Sequence, residues 1–365
     1  MLNRVNVKLQ MASEIAPPEA NEAEGCVQCQ RGSKLVLFVT GRCHWGCDYC
    51  PLSENRRETP DMFANERRCQ NFDEVIEEAR AMRATGTGIT GGDPMLDFDK
   101  TVEAVRALKD AFGPEHHIHC YTSIPIKPAQ AKELGEAGLD ELRFHLLDLS
   151  LDRYRDSVNA ASEAGICVGI ELPAEPDKHE KMHALLQEIH DSPVEFLNLN
   201  ELEITVGNQH NMDVRGFNLA GGITAAAEGS AELAIELKQA AKDLDFHVKF
   251  CTASYKDAGQ LRSRFRRRGE ATLRPYEVLS EDDTILFGAI PCSLEDAADD
   301  MNELTEYLQL HENWIRFDGS TRRIEIPLSA AEEIASHLAV PVLMVEVHPT
   351  HERLEVGVVN LNQHR

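Results

Sequence analysis

Three cysteines lie within one short stretch of the chain, TGRCHWGCDYCPLS (residues 40–53). Cys43, Cys47 and Cys50 are separated by four and then by three positions. Three thiolates from one loop can hold three corners of a [4Fe–4S] cluster, which leaves the fourth iron free for a ligand that is not protein. A structural metal site fills its coordination shell with protein ligands, whereas a reactive site keeps one position open. The spacing therefore favours a reactive iron–sulfur centre.

Zinc is the alternative metal for this loop. The three cysteines would then be joined by His44 or by a distant cysteine, and the protein would be a non-enzymatic zinc or iron–sulfur binding module. Zinc loops usually contain paired CxxC units far apart, and three cysteines so close together are not that pattern. Structural thiols in a core are also disfavoured, because Trp45 and Gly46 indicate a loop at this point.

Two motifs resemble those of one enzyme superfamily. CHWGCDYC is similar to the CxxxCxxC motif of the radical S-adenosylmethionine superfamily, including an aromatic residue, Tyr49, before the last cysteine. TGGDP (90–94) resembles the GGEP-type motif of the same superfamily, with Asp93 in place of the usual glutamate. The stretch from about residue 26 to 270 resembles an archaeal branch related to pyruvate formate-lyase activating enzymes. This resemblance indicates a reaction class and leaves the substrate open.

The resemblance implies the cofactors and their binding residues. Cys43, Cys47 and Cys50 would bind the cluster, and its free iron would chelate the amino and carboxylate groups of S-adenosylmethionine. Reductive cleavage of that molecule would give a 5′-deoxyadenosyl radical, which abstracts hydrogen from a substrate. The implied cofactor-binding residues are Tyr49 beside the adenine and Gly91, Gly92 and Asp93 at the methionyl amino group. Later strand ends add Thr122 and Ser123 for the ribose, Arg143 for the carboxylate and Glu171, each with a solvated or capping role as its alternative.

A second metal is a further hypothesis. Cys26 and Cys29 form a CxxC pair before the first strand, and Cys251 ends the last strand of the repeating region. These three cysteines are candidate ligands for zinc or an auxiliary cluster, although a single CxxC pair is weaker evidence than two. The alternative for Cys251 is an ordinary buried thiol. The remaining cysteines, Cys69, Cys120, Cys167 and Cys292, are interpreted as packing residues.

Three polar segments have both a functional and a structural interpretation. In NLNELEIT (198–205), Asn198 and Asn200 share one face of a strand and could orient a substrate, while Glu201 points away. The favoured alternative for this segment is a strand-end cap with solvated acidic side chains. A basic stretch, KDAGQLRSRFRRR (256–268), predicts a helix that either binds an anion, a nucleic acid or a partner, or neutralises acidic neighbours. The second interpretation is favoured in so acidic a chain. The histidines of HHIH (116–119) are interpreted as structural.

The elements that position these residues alternate regularly. Short apolar strands and amphipathic helices follow one another from residue 34 to about 275, and both motifs come directly after a strand. Six or seven βα units in series predict an α/β fold, a complete or partial TIM-like (β/α) barrel, with an open doubly wound sheet as the alternative. In both folds, ligands bind at the carboxyl ends of the strands. We predict a flexible acidic leader over 1–33, the barrel over 34–275 and a small α+β domain over 276–365.

The composition is strongly acidic. The net charge is −25, from 62 acidic and 37 basic residues, of which only 12 are lysine. A surface of this kind is typical of adaptation to a salty, halophilic cytoplasm, and at ordinary salt it would repel nucleic acid. The charge therefore counts only weakly against a nucleic-acid partner. No apolar run approaches the roughly 20 residues of a membrane span. The N-terminal stretch lacks the features of a signal peptide, so we expect a cytoplasmic protein.

The sequence therefore predicts a radical S-adenosylmethionine enzyme that takes electrons from a ferredoxin or flavodoxin type of donor. A small metabolite or cofactor precursor is the favoured substrate. A glycyl-radical type of protein substrate and an RNA are the alternatives, the latter supported only by the arginine-rich helix. The non-enzymatic metal-binding module is the alternative from another class of protein.

Overall fold

A computed structural model describes residues 21–222 and 224–362. The strands are β1 (Lys34–Phe38), β2 (Met62–Ala64), β3 (Arg67–Cys69), β4 (Gly86–Thr90), β5 (His117–Thr122), β6 (Glu141–Phe144), β7 (Cys167–Ala174), β8 (Phe196–Glu201), β9 (His247–Cys251), β10 (Val278–Leu279), β11 (Ile285–Pro291), β12 (Arg316–Asp318), β13 (Arg323–Ile326), β14 (Leu343–Val347) and β15 (Glu355–Asn360). The helices are α1 (Glu24–Gln30), α2 (Phe72–Ala81), α3 (Phe98–Phe112), α4 (Pro128–Ala137), α5 (Arg155–Glu163), α6 (His179–His190), α7 (Gln209–Val214), α8 (Ser230–Ala240), α9 (Ala253–Tyr255), α10 (Arg262–Thr272), α11 (Ala297–Leu308) and α12 (Leu328–Ile334).

The larger sheet is a partial barrel. Its strand order is β3-β2-β1-β4-β5-β6-β7-β8-β9, and every pair from β1 through β4 to β9 is parallel. The antiparallel β2–β3 hairpin extends the β1 edge. The parallel strands follow the chain order without the reversal that defines a doubly wound sheet. Within the described residues β9 does not pair with the opposite edge, so the partial barrel is confirmed over the complete one and over the doubly wound alternative.

Amphipathic helices cover the outside of this sheet. On α3, Val102, Val105 and Leu108 recur at helical spacing and are buried against the strands. The Asn71 side chain accepts a hydrogen bond from Glu74 N and begins α2. The main core of the described residues therefore lies between the helices and the outer face of the sheet.

The inner face of the same sheet is polar. Residues at alternate strand positions face the barrel interior. Those that line the interior cavity are Val36, Gly88, His119, Tyr121, Arg143, His145, Glu171, Asn198, Asn200, Lys249 and Cys251. Such a set of side chains is costly to bury unless each finds a partner. These interior side chains must therefore be paired with one another or with a bound ligand.

The CxxC segment forms part of this barrel instead of a flexible leader. Residues 24–30 form α1, and Cys26 within it is buried. A Cβ added at Gly25 would lie closer than 3.0 Å to atoms of Arg143 and His119. Helix α1 therefore packs against the inward-facing residues at the amino-terminal ends of the strands. Residues 1–20 of the predicted leader lie outside the described residues.

A helical segment after β9 covers the open side of the barrel. It consists of α9, a π-helical turn over Lys256–Leu261 and α10. Arg264 of α10 donates a hydrogen bond to the side chain of Asn65 beside β2, and Arg268 binds Glu78 of α2. The segment thus joins the end of the last parallel strand to the β2–β3 edge.

The contacts of the arginine-rich helix confirm its structural interpretation, in which the basic side chains pair with groups of the same chain. Each of its arginines contacts groups of the same chain. The contacts are Arg262 and Arg266 with Asp283, Arg264 with Glu66, Arg267 with the carbonyl of Arg83, and Arg268 with Glu78 and the carbonyl of Pro349. The one feature that favoured an RNA substrate is therefore explained by intrachain pairing.

The C-terminal part forms a second sheet with its own core. Strands β11 to β15 pair antiparallel in the order β12-β13-β11-β14-β15, and β10 pairs with β11. Helices α11 and α12 lie in the same region, and β12–β13 and β14–β15 each form an antiparallel pair of consecutive strands. Among the described residues, no helix combines the length and apolarity needed to cross a membrane.

The Arg268–Glu78 pair yields a test of how α10 is attached. The guanidinium contacts both carboxylate oxygens, at 2.7 Å and 3.0 Å, and the two side chains are only 9% and 2% exposed. We expect Arg268→Met to lower the free energy of unfolding by about 3–5 kcal/mol, because it leaves a buried carboxylate without its cation. Urea unfolding followed by circular dichroism measures the change.

The control for this test is Arg106→Met, which breaks a half-exposed surface pair with Glu133 at 3.5 Å. Exposed pairs contribute little to stability, so this variant should unfold close to the wild-type urea midpoint. Equal midpoints for Arg268→Met and Arg106→Met would contradict the role assigned to the buried pair.

Candidate active site

The three-cysteine loop is attached to the GGDP motif by main-chain hydrogen bonds. The amide of Gly92 donates to the carbonyl of Thr40 at 2.7 Å, and the amide of Asp93 donates to the carbonyl of Arg42 at 2.8 Å. These bonds continue the pairing of β1 with β4 beyond the ends of the two strands. The cysteine loop is therefore fixed at the carboxyl ends of the strands, where ligands bind in such folds.

The glycine pair is required by this attachment. A Cβ at Gly91 would lie closer than 3.0 Å to the carbonyl oxygen of Thr40, and a Cβ at Gly92 would meet that of Arg42 in the same way. The sequence predicted close approach of a ligand to bare backbone at these positions. The structure shows that the cysteine loop itself makes this close approach, and ligand binding by the pair stays a prediction.

The three thiols line one cavity of about 570 Å³. Cys43, Cys47 and Cys50 are all half-buried. Burial raises the pKa of Cys47, and the neighbouring Cys43 and Cys50 raise it further once they are charged. Three thiolates that line one cavity are best stabilised by a cation, and soft sulfur donors suit iron–sulfur clusters or zinc.

The geometry disfavours a single zinc ion in this loop. Zinc binds its ligands at about 2.0–2.3 Å, so the ligand atoms must lie within about 4.6 Å of one another. Among the described residues, the only group of three or more histidine, cysteine or acidic side chains with ligand atoms within 4.8 Å lies elsewhere. The three thiols and His44 form no such compact set, whereas a four-iron cluster spans a larger distance than one ion.

Tyr49 connects the loop to the far side of the barrel. Its phenol oxygen lies 2.6 Å from His145 Nε2, and its carbonyl accepts a hydrogen bond from the Asn208 side chain at 2.9 Å. Burial raises the pKa of the Tyr49 phenol, so this group stays protonated. Tyr49 lines the cavity, and its predicted place beside an adenine stays a prediction.

Asp93 holds the end of the neighbouring strand. Its buried carboxylate accepts hydrogen bonds from the hydroxyl of Thr122, from the amide and hydroxyl of Ser123, and from the amide of Met95, all at 2.8–3.0 Å. The sequence predicted Thr122 and Ser123 as ribose ligands. In the structure these two residues serve as hydrogen-bond partners of Asp93, a connection that no sequence pattern indicated. Contact of Asp93 with a methionyl amino group stays a prediction.

Arg143 and Glu171 form a charged centre inside the barrel. The guanidinium of Arg143 is 2% exposed, binds Glu141, and contacts Glu171 at 2.6 Å. Asn200 donates to the other oxygen of Glu171 at 2.9 Å. Burial opposes the charge of Glu171, but the guanidinium of Arg143 and the neighbouring amides hold its pKa below its ordinary value. The contacts of Arg143 are thus with protein carboxylates, and its predicted pairing with a cofactor carboxylate stays a prediction.

Two histidines that the sequence analysis treated as structural lie inside the barrel. His117 Nδ1 lies 2.7 Å from Lys34 Nζ, and burial lowers the pKa of Lys34 to about 8. His119 is 1% exposed, and burial together with Arg143 lowers its pKa far below the ordinary value. Within the described residues, His119 Nδ1 has no hydrogen-bond partner. The alternate spacing of these residues on an inward-facing strand was the signal that could have identified them.

Cys26, Cys29 and Cys251 come to the same cavity, but they do not form a compact metal site. Arg143 contacts Cys26 Sγ at 3.4 Å, and Cys251 contacts Asn198 at 3.6 Å. Burial raises the pKa of Cys251 to about 11, so it is a neutral thiol at ordinary pH. Among the described residues, these three cysteines do not belong to any group whose ligand atoms all lie within 4.8 Å of one another. The second-metal hypothesis is therefore not supported.

Residues 37–171 match the family model of the Radical SAM superfamily. A Methanocaldococcus jannaschii protein named "Putative glycyl-radical enzyme activating enzyme" is 35% identical over 349 residues, which cover 91% of each chain. A biotin synthase of Chromobacterium violaceum is 35% identical over 132 residues, 34% of this chain and 38% of its own. Among solved structures, SuiB of Streptococcus suis bound to S-adenosylmethionine has a TM-score of 0.44 at 14% identity, over 60% of this chain and 50% of that one.

The attachment of the loop to the glycine pair can be tested by substitution. We expect Gly92→Ala to lower the iron bound per chain severalfold after anaerobic reconstitution, because the new methyl group would displace the main chain at Arg42. Iron and sulfide analysis of the purified protein measures the change.

Gly46→Ala is the matched control, since a Cβ at this position within the cysteine loop would meet nothing within 4 Å. It should bind as much iron as the wild type. Undiminished iron in Gly92→Ala would show that the close approach does not determine the position of the cysteines.

Proposed function

This chain belongs to the radical S-adenosylmethionine superfamily, and from that premise we propose that it generates a 5′-deoxyadenosyl radical that acts on a small polar molecule bound inside the barrel. One observation carries the proposal. The three cysteine thiols and the polar interior residues line one continuous cavity of about 570 Å³. A molecule held by the interior residues would therefore lie in the same space as the cysteine loop.

The residues present fit the cofactors that the superfamily implies. Cys43, Cys47 and Cys50 would hold a [4Fe–4S] cluster, with S-adenosylmethionine in the cavity beside them. When bound, the cluster supplies the electron that breaks the sulfonium C–S bond of S-adenosylmethionine, which gives methionine and the 5′-deoxyadenosyl radical. The task of the chain is to position these groups and exclude water. The main-chain bonds to Gly92 and Asp93 hold the loop in place.

The electrons would come from a ferredoxin or flavodoxin type of donor in the cytoplasm. Reduced donors of this kind have to approach the loop from solvent, and the half-buried state of the thiols is compatible with such access. Dithionite can replace the donor in an assay.

The chemistry of the interior favours a polar substrate with both donors and acceptors. Arg143 and Lys34 provide positive charge, while Glu171 provides negative charge. The amides of Asn198 and Asn200 add neutral hydrogen-bonding groups. A metabolite or cofactor precursor that carries several polar groups would match this set. Helix α1 packs at the amino-terminal ends of the strands, so a substrate would enter from the side of the cysteine loop.

A glycyl-radical type of protein substrate is the second candidate. It is favoured by the relative from Methanocaldococcus jannaschii, which is named as an activating enzyme and matches 91% of this chain. A glycine-bearing loop of a partner protein would then have to enter the same cavity.

The reaction class can be tested with the three cysteines. We expect Cys43→Ala/Cys47→Ala/Cys50→Ala to lose its iron and to form no 5′-deoxyadenosine above the enzyme-free level. Wild-type protein should form it with dithionite and S-adenosylmethionine under anoxia, as measured by mass spectrometry. Cys292→Ala is the control, because Cys292 lies in the C-terminal domain near Asp300. A wild-type protein that holds zinc, lacks iron and cleaves nothing would contradict the proposal.

The substrate class can be tested with cells grown on deuterated medium. We expect the low-molecular-mass fraction of their extract to raise the rate of 5′-deoxyadenosine formation and to transfer deuterium into that product. Mass spectrometry detects the label. If only the protein fraction transfers deuterium, and a glycyl radical appears there in the EPR spectrum, the small-molecule proposal is wrong and the activating role replaces it.

A further inference from the structure

Two histidines and a glutamate lie together on the outer helical layer, away from the cavity. His179 begins α6, and His183 lies one turn later on the same face of this helix. Glu236 lies on α8, and it meets both imidazoles across the helix–helix contact. None of the three residues lines the active-site cavity.

The three side chains converge on one point. His179 Nε2 and His183 Nε2 lie 2.9 Å and 3.0 Å from the same oxygen of Glu236. The ligand atoms of all three side chains lie within 4.8 Å of one another, and the centroids of the two imidazole rings are 4.6 Å apart. Of the described residues, this is the only group of three or more such side chains that is compact enough for a single metal ion.

The arrangement has the donor chemistry of a transition-metal site. Imidazole nitrogen suits zinc, copper, iron and nickel, and carboxylate oxygen is also a zinc ligand. Without a metal, both imidazoles can donate to the shared oxygen only if each carries its proton on Nε2. A divalent cation would instead accept a lone pair from each of the three groups at once. The net charge of −25 further favours cations near the surface.

We propose that His179, His183 and Glu236 bind one divalent transition-metal ion, with zinc as the best match. Three protein ligands leave at least one coordination position for water. All three side chains are partly exposed, so an ion can enter from solvent. The bound ion would link α6 to α8, the helices that follow β7 and β8, and would stabilise the folded chain because it binds that state alone.

The proposal is tested by zinc titration of the anaerobically reconstituted, full-length protein with its iron–sulfur site filled. Isothermal titration calorimetry should show one zinc equivalent bound by the wild type. In His179→Gln/His183→Gln and in Glu236→Gln, the apparent affinity should fall at least tenfold, the lower end of the roughly 10–100-fold effect of second-shell changes. His337→Gln, an exposed histidine of the C-terminal domain, is the matched control and should retain wild-type binding.

X-ray absorption at the zinc edge gives a second readout that does not depend on affinity. A shell of nitrogen and oxygen atoms alone is expected in the wild type. A shell that contains sulfur would place the ion at cysteines and overturn the proposal, as would equal zinc binding by the double-histidine variant and the wild type. Unchanged 5′-deoxyadenosine formation and circular dichroism in the variants would show that they fold.

Discussion

The active site depends on two main-chain hydrogen bonds that join the cysteine loop to the end of β4. They run from the amides of Gly92 and Asp93 to the carbonyls of Thr40 and Arg42. Only a backbone without a side chain permits this approach, which explains why glycines stand at positions 91 and 92. The same short segment presents the Asp93 carboxylate to the end of β5. The segment 91–93 therefore positions both the cysteine loop and the adjoining strand end.

Electrostatic pairing makes the polar interior of the barrel compatible with a stable fold. Arg143 is almost fully buried, and an unpaired cation at that depth would cost several kcal/mol. Glu141 and Glu171 compensate its charge, and Asn200 satisfies the remaining oxygen of Glu171. Such a centre is rigid and able to recognise polar groups, but an apolar core would be as stable. The proposed binding of a polar substrate would give these groups a role beyond stability.

Local patterns in the sequence were sufficient to predict the βα repeat and the cysteine loop, because each depends on residues close together in the chain. The contacts of Asp93 with Ser123, and of α1 with Arg143, join residues about 30 and over 100 positions apart, and no local pattern encodes them. For the same reason the CxxC segment was predicted to be flexible. Whether the barrel closes depends on pairing between its two edge strands, and the periodicity of apolar residues does not determine that pairing.

The most direct test of the account is EPR spectroscopy of the dithionite-reduced, anaerobically reconstituted protein before and after addition of S-adenosylmethionine. A [4Fe–4S] cluster held by only three cysteines, beside a cavity of about 570 Å³, predicts a reduced cluster signal whose g values shift when S-adenosylmethionine is added. A signal that S-adenosylmethionine leaves unchanged would contradict an open coordination position at the loop of Cys43, Cys47 and Cys50. The absence of bound iron and sulfide together with the absence of a cluster signal would contradict the iron–sulfur site itself.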